Sequence, residues 1–159
     1  MRFVLFTDKS VKQCTSAINE RLQTKGTKTR PELDGWIEKG GKFSLAVTSK
    51  VARRFSRTTR LSGKAEKEGT STVIRGHVSG GVSPQGLRTL FAGLVIVVVL
   101  LFISGNQMIG FLTVIAGGFA YVPLWGDYVN SEILLIEVEK TLKASPTRPK
   151  VPTKAIPEK

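Results

Sequence analysis

Residues 89–104, TLFAGLVIVVVLLFIS, and residues 108–125, MIGFLTVIAGGFAYVPLW, decide the architecture of this chain. Between Arg88 and Asp127 no side chain is charged over 38 positions. A bilayer core takes about 20 apolar residues per helix, and as few as about 17. The stretch is therefore read as two short spans joined by Gly105-Asn106-Gln107, whose glycine and asparagine suit a reversal. In the first span, 12 of 16 residues are Leu, Ile, Val or Phe, worth on the order of −4 to −7 kcal/mol for insertion. The second has eight such residues among 18, diluted by Gly110, Gly117, Gly118 and Pro123. A buried hairpin in a soluble protein is the rival reading, but such helices normally keep one polar face, and neither segment has one.

Two patterns in the second span give residues their roles. Tyr121 and Trp125 lie near its charged end, where amphipathic rings favour the headgroup region, so both are expected as interface anchors. Gly110, Thr113, Gly117 and Ala120 share one helical face. Small residues there let another helix approach closely, with the first span as the expected partner and a homo-oligomer as the alternative.

Charge sets the orientation. The chain carries 24 Lys plus Arg against 12 Asp plus Glu, a formal net charge of +12. Residues 1–88 hold 18 of the cations and seven of the acids, whereas the 105–107 turn holds neither. By the positive-inside rule both termini are expected on the cytoplasmic side of the inner membrane. The opening MRFVLFTDKSVKQ contains only a four-residue apolar run, so no cleaved secretory signal is predicted.

The part in water reads as α+β, an antiparallel sheet with flanking helices. Phe3–Phe6 is a strand candidate. Ser10 and Gln13 have capping-box spacing, and Val11, Cys14, Ile18 and Leu22 share one face of a helix that Gly26 would end. Leu33–Glu38 and Lys42–Thr48 read as a hairpin around Gly40-Gly41. Arg60–Ala65 and Thr70–Val78 read as another around Glu66–Gly69. This cytoplasmic domain is expected over 1–84, with the membrane hairpin over 85–126. Residues 127–143 are apolar at Ile133, Leu134, Leu135, Ile136, Val138 and Leu142, too greasy for a free helix and expected to cover the sheet. Residues 144–159, with four prolines, read as an extended Pro/Lys-rich tail.

In this plan the chain resembles uncharacterised small bacterial membrane proteins in which an α+β domain is interrupted by a two-helix membrane hairpin before a last helix. The resemblance rests on the opening strand and helix, the Leu61-x-Gly63 and Thr72-Val73-Ile74-x-Gly76 strands, and the hairpin after Pro84. It implies an architecture and no chemistry.

Motifs for chemistry are scarce. One cysteine, Cys14, excludes an internal disulfide, and one histidine, His77, excludes multi-histidine metal sites. There is no P-loop, dinucleotide fingerprint, H-E-x-x-H or C-x-x-C. Cys14 is expected as a packing thiol and His77 as a structural histidine, so no catalytic residue, cofactor, metal or enzymatic activity is expected. The basic run Lys50, Arg53, Arg54, Arg57 and Arg60, with Phe55 inside it and Arg88 at the membrane edge, has three readings. Anionic lipid headgroups are adjacent, each nearby cation contributing about 1 kcal/mol. Nucleic acid is the less favoured partner, since strand alternation would scatter the charges over two faces. A solvated loop that enforces topology is the plain alternative. The functional expectation is a basic domain that binds an anionic lipid or a protein at the inner leaflet; a carrier with an apolar cavity under the sheet, or a membrane-bound enzyme, are the rivals.

Overall fold

The computed structural model describes residues 1–27, 30–52 and 55–147. Its element order is β1 (Arg2–Thr7), α1 (Val11–Gln23), β2 (Asp34–Ile37), β3 (Lys42–Ala52), β4 (Phe55–Glu68), β5 (Ser71–Val78), α2 (Pro84–Ile103) and α3 (Gln107–Leu142). The fold is α+β. Five antiparallel strands lie in the order β1-β5-β4-β3-β2, with α1 and the second half of α3 on one face.

Local chemistry accounts for the elements. The capping box forms as its spacing requires, the Ser10 hydroxyl accepting from the Gln13 amide and the Gln13 side chain from Ser10. Gly40 and Gly41 turn the first hairpin at positive φ, +91° and +82°, where a side chain would be strained. Phe43, Leu45 and Val47 of β3, Leu61 and Ala65 of β4, Ile74 and Val78 of β5, and Phe3 and Leu5 of β1 supply the buried face. Cys14 and Ile18 close it from α1, and Leu134, Val138 and Leu142 from α3. Gly63 and Gly76 leave room for the rings of Phe43 and Phe3.

α2 and α3 form an antiparallel pair, each long and apolar enough to cross a membrane. Ser83 caps α2, with Pro84 in the first turn, a position that needs no amide donor. The pair reads out its own register: a Cβ on Gly117 would overlap Leu94, Phe91 meets Tyr121 edge-on at 5.9 Å, and Gly110 seats the ring of Phe102. Continued by three residues from the Phe91–Tyr121 contact, this register sets Arg88 opposite Leu124.

Three expectations change. The second span and the covering helix are not separate: α3 runs unbroken for 36 residues through Pro123. A proline removes one helical hydrogen bond, and here α2 holds the helix on one side of it and the sheet on the other. The described residues of the basic run are strand rather than loop, because β3 continues to Ala52 and β4 begins at Phe55. Thr48 faces Thr58 with hydroxyls 2.6 Å apart, and Ser49 faces Arg57, pairs that suit a strand. Finally, the tail begins later than residue 144. Ala144 packs on the core, and Ser145 exchanges hydrogen bonds of 2.8 and 2.9 Å with Phe6, tying down the β1 edge. Residues 148–159 lie outside the described residues.

Candidate functional site

The basic run sits where the sheet meets α3. β5 ends at Val78, opposite Leu61, and β2 pairs only as far as Ala46. Beyond those points the described residues of β3 and β4 pair only with each other, forming a two-stranded ribbon with Lys50 and Phe55 near its far end. Such a ribbon is marginal by itself. Helix α3 supplies the missing support. The Arg57 guanidinium donates from Nε and Nη2 to the two Asp127 carboxylate oxygens, at 2.9 and 2.6 Å, and Thr59 donates to the same carboxylate at 2.6 Å. Asn130 donates to the Arg57 carbonyl at 2.8 Å and to the Thr59 hydroxyl at 3.1 Å. Gly126 allows the approach, since a Cβ there would lie 2.7 Å from Arg57 Cβ and 2.8 Å from Val51 Cγ2.

Burial alone would raise the Asp127 carboxyl. The hydrogen bonds from Arg57 and Thr59 and the Arg57 charge outweigh it and hold Asp127 below its ordinary range. In return Asp127 raises Arg57 further. Arg57 is thus a tether between ribbon and helix rather than a free cation, which alters the role expected of it. Strand alternation puts it on the helix-facing side, while Arg60, three residues further along β4, pairs with Ala46 on the opposite face and is exposed. Lys50 is exposed as well. Arg53 and Arg54 lie outside the described residues. Arg88 is exposed at the α2 level of Leu124.

Tyr121 and Trp125 sit together as the sequence suggests. Their rings stack 6.4 Å apart at 13°, and Tyr128 extends the stack, 6.0 Å beyond Trp125. With Phe91 against Tyr121, this is a band of aromatic rings at the level of Arg88. Of the small-residue face, Gly110 and Gly117 meet α2. Thr113 donates to its own helix at the Ile109 carbonyl, and Ala120 lines a shallow apolar groove of about 120 Å³ with Leu90, Phe91, Leu94 and Leu124.

A second polar centre anchors the far half of α3. Glu137, 4 % exposed, accepts from Arg21 at 2.8 Å and from Arg30 at 2.9 Å, and Arg21, 6 % exposed, also donates to the Pro31 carbonyl. Burial raises this carboxyl, and the two arginines more than reverse it, leaving it below its ordinary range. At the helix end Thr7 and Lys9 donate to the Leu142 and Thr141 carbonyls, capping groups that the helix itself leaves open. Sequence reasoning missed both acid–base pairs. Only the isolated acids Asp127 and Glu137 in an apolar context signalled that partners were needed.

Cys14 is fully buried, and burial pushes its thiol up, with a smaller opposing effect from Lys9. His77 is exposed on the open face of β5 between Arg2 and Ser62. Among the described residues no group of His, Cys, Asp and Glu could hold a metal ion. The volume under the sheet, where a carrier would keep its ligand, is occupied by Leu61, Ile74, Leu134 and Val138, each at most 1 % exposed. Compared with models of known families, with curated proteins and with solved structures, the chain shows no match.

Proposed function

We propose that this chain is a two-span integral protein of the cytoplasmic membrane, with both termini inside, whose basic α+β domain engages anionic lipid at the inner leaflet. The observation that carries the reading is positional. Among the described residues, Lys50 of the β3–β4 ribbon, Arg57 held against α3, Arg88 and the aromatic band lie in the short zone where the apolar helices meet the sheet. Cations there meet phosphate, and rings there meet the headgroup boundary. The bare faces of α2 and α3 support the membrane itself: Val95, Ile96, Leu100, Phe111, Leu112 and Phe119 are each at least 60 % exposed, a contiguous apolar surface that water would not tolerate.

The test uses the full chain in vesicles carrying spin-labelled lipids. Phosphatidylglycerol should be immobilised by the protein more than phosphatidylcholine, the preference should shrink in high salt, and Lys50, Arg53, Arg54 and Arg60 replaced together by Gln should abolish it. Equal immobilisation of the two lipids by the unaltered protein would overturn the lipid reading and leave a protein partner as the rival.

A further inference from the structure

The ribbon invites a more specific statement about depth. Gly126 packs directly on Arg57 and Val51, which fixes the ribbon against α3 at that height. From there α3 runs toward Leu142, whose carbonyl reaches Thr7 at the opposite end of the sheet. Followed backward, α3 and β4 therefore descend together toward the apolar pair. Phe55 lies two residues below Arg57, about 7 Å along a strand. The helix descends that distance in between four and five residues, reaching Tyr121. Phe55 thus stands at the height of Tyr121, at the lower edge of the aromatic band. It shares the strand face of Arg57 and Thr59, yet it is 52 % exposed, unlike the apolar residues of that face higher in the sheet. Lys50, opposite Ser56, points from the other face.

We infer that Phe55 and Lys50, at the end of the ribbon nearest the apolar helices, form an interfacial wedge: the Phe55 ring enters the boundary between headgroups and acyl chains, and Lys50, on the other face, meets lipid phosphate. This deepens the functional reading above and rests on its assignment of α2 and α3 to the bilayer. An exposed aromatic ring on one face of the ribbon and a lysine on the other match that boundary, which is apolar on one side and anionic on the other. The bidentate Arg57–Asp127 contact helps set the height of the wedge, together with the Asn130 hydrogen bonds and the packing of Gly126 on Arg57 and Val51.

The test places a polarity-sensitive fluorophore on Phe55→Cys in a Cys14→Ala background, using the full chain in nanodiscs of phosphatidylcholine with and without phosphatidylglycerol. Thr58→Cys on the open face of the ribbon serves as the water reference, and Lys50→Cys as a second reporter should the first variant misfold. The label at 55 should emit to the blue of the label at 58, resist iodide, and be quenched by a lipid nitroxide near the carbonyl level. With Asp127→Asn it should shift toward water. A water-like label at 55 would overturn the wedge, even where phosphatidylglycerol is still preferred. Shielding at 55 without any lipid preference would instead overturn the headgroup reading and leave the wedge standing. Shielding that appears only when two copies share a disc would replace the wedge by a contact between ribbons.

Discussion

Asp127 binds the guanidinium of Arg57 through both carboxylate oxygens, across 70 residues of sequence. It is the first acid after the uncharged stretch and joins the apolar helix pair to the sheet. Arg57 is 40 % exposed at its side chain and Asp127 11 %, so the contact lies between a surface pair, worth up to about 1 kcal/mol, and a buried one, whose breakage costs about 3–5 kcal/mol. Asp127→Ala should destabilise the reconstituted protein by about 1–3 kcal/mol in a denaturant titration. A double-mutant cycle with Arg57→Gln should return a coupling of at least about 0.5 kcal/mol; additive effects would show that the contact contributes nothing.

Gly126 and Gly118 lie on the same helix and should respond oppositely to alanine. At Gly126 the new methyl meets Arg57 Cβ, an atom that cannot swing away, so Gly126→Ala should cost about 1–3 kcal/mol. Gly118 has nothing within 4 Å of such a methyl. There the substitution should be neutral or stabilise by up to about 1 kcal/mol, since alanine suits a helix better. Thermal denaturation in detergent compares the two, and equal losses would contradict the packing described.

Glu137 is nearly sealed from water with Arg21. Glu137→Ala leaves a buried guanidinium without its counter-ion and should cost about 3–5 kcal/mol, releasing the second half of α3 from α1. Hydrogen exchange should show the release as lost protection over 130–142 and in α1 together.

Acid should act through the same carboxylates. Asp127 and Glu137 are both held below their ordinary ranges, so the unfolded chain takes up protons first as pH falls. Their stabilisation is whole at neutral pH, declines below the ordinary carboxylate values of about 4, and is gone once pH passes the depressed values. Glu137→Gln should flatten that decline; an unchanged slope would mean the acid loss arises elsewhere.

Much of the plan was written in local pattern. The alternation of Phe43, Leu45 and Val47, the Ser10/Gln13 spacing and the run from Thr89 each specify an element without help from distant residues. The apolar excess at Leu134, Val138 and Leu142 even announced that the last helix needed a sheet to lie on. What stayed hidden depended on partners far along the chain. Residues 49–58 look like a solvated basic loop until Asp127 and Asn130 arrive to hold Arg57 and Thr59. Pro123 reads only as a dilution of the second span, and docking on both sides of it makes one helix out of two expected segments.

The fold has consequences for its own birth on the ribosome. Leu61, Ile74 and Leu5 wait for Leu134 and Val138 as their lid, and those residues are translated only after both greasy helices. The five strands therefore leave the exit tunnel with that side covered only by α1, and on the topology proposed above it closes only after the hairpin has entered lipid and the chain has come back. On that topology maturation of the domain reports on insertion: a nascent molecule whose hairpin fails to integrate keeps a sticky, half-covered sheet, the kind of surface that chaperones and proteases seize.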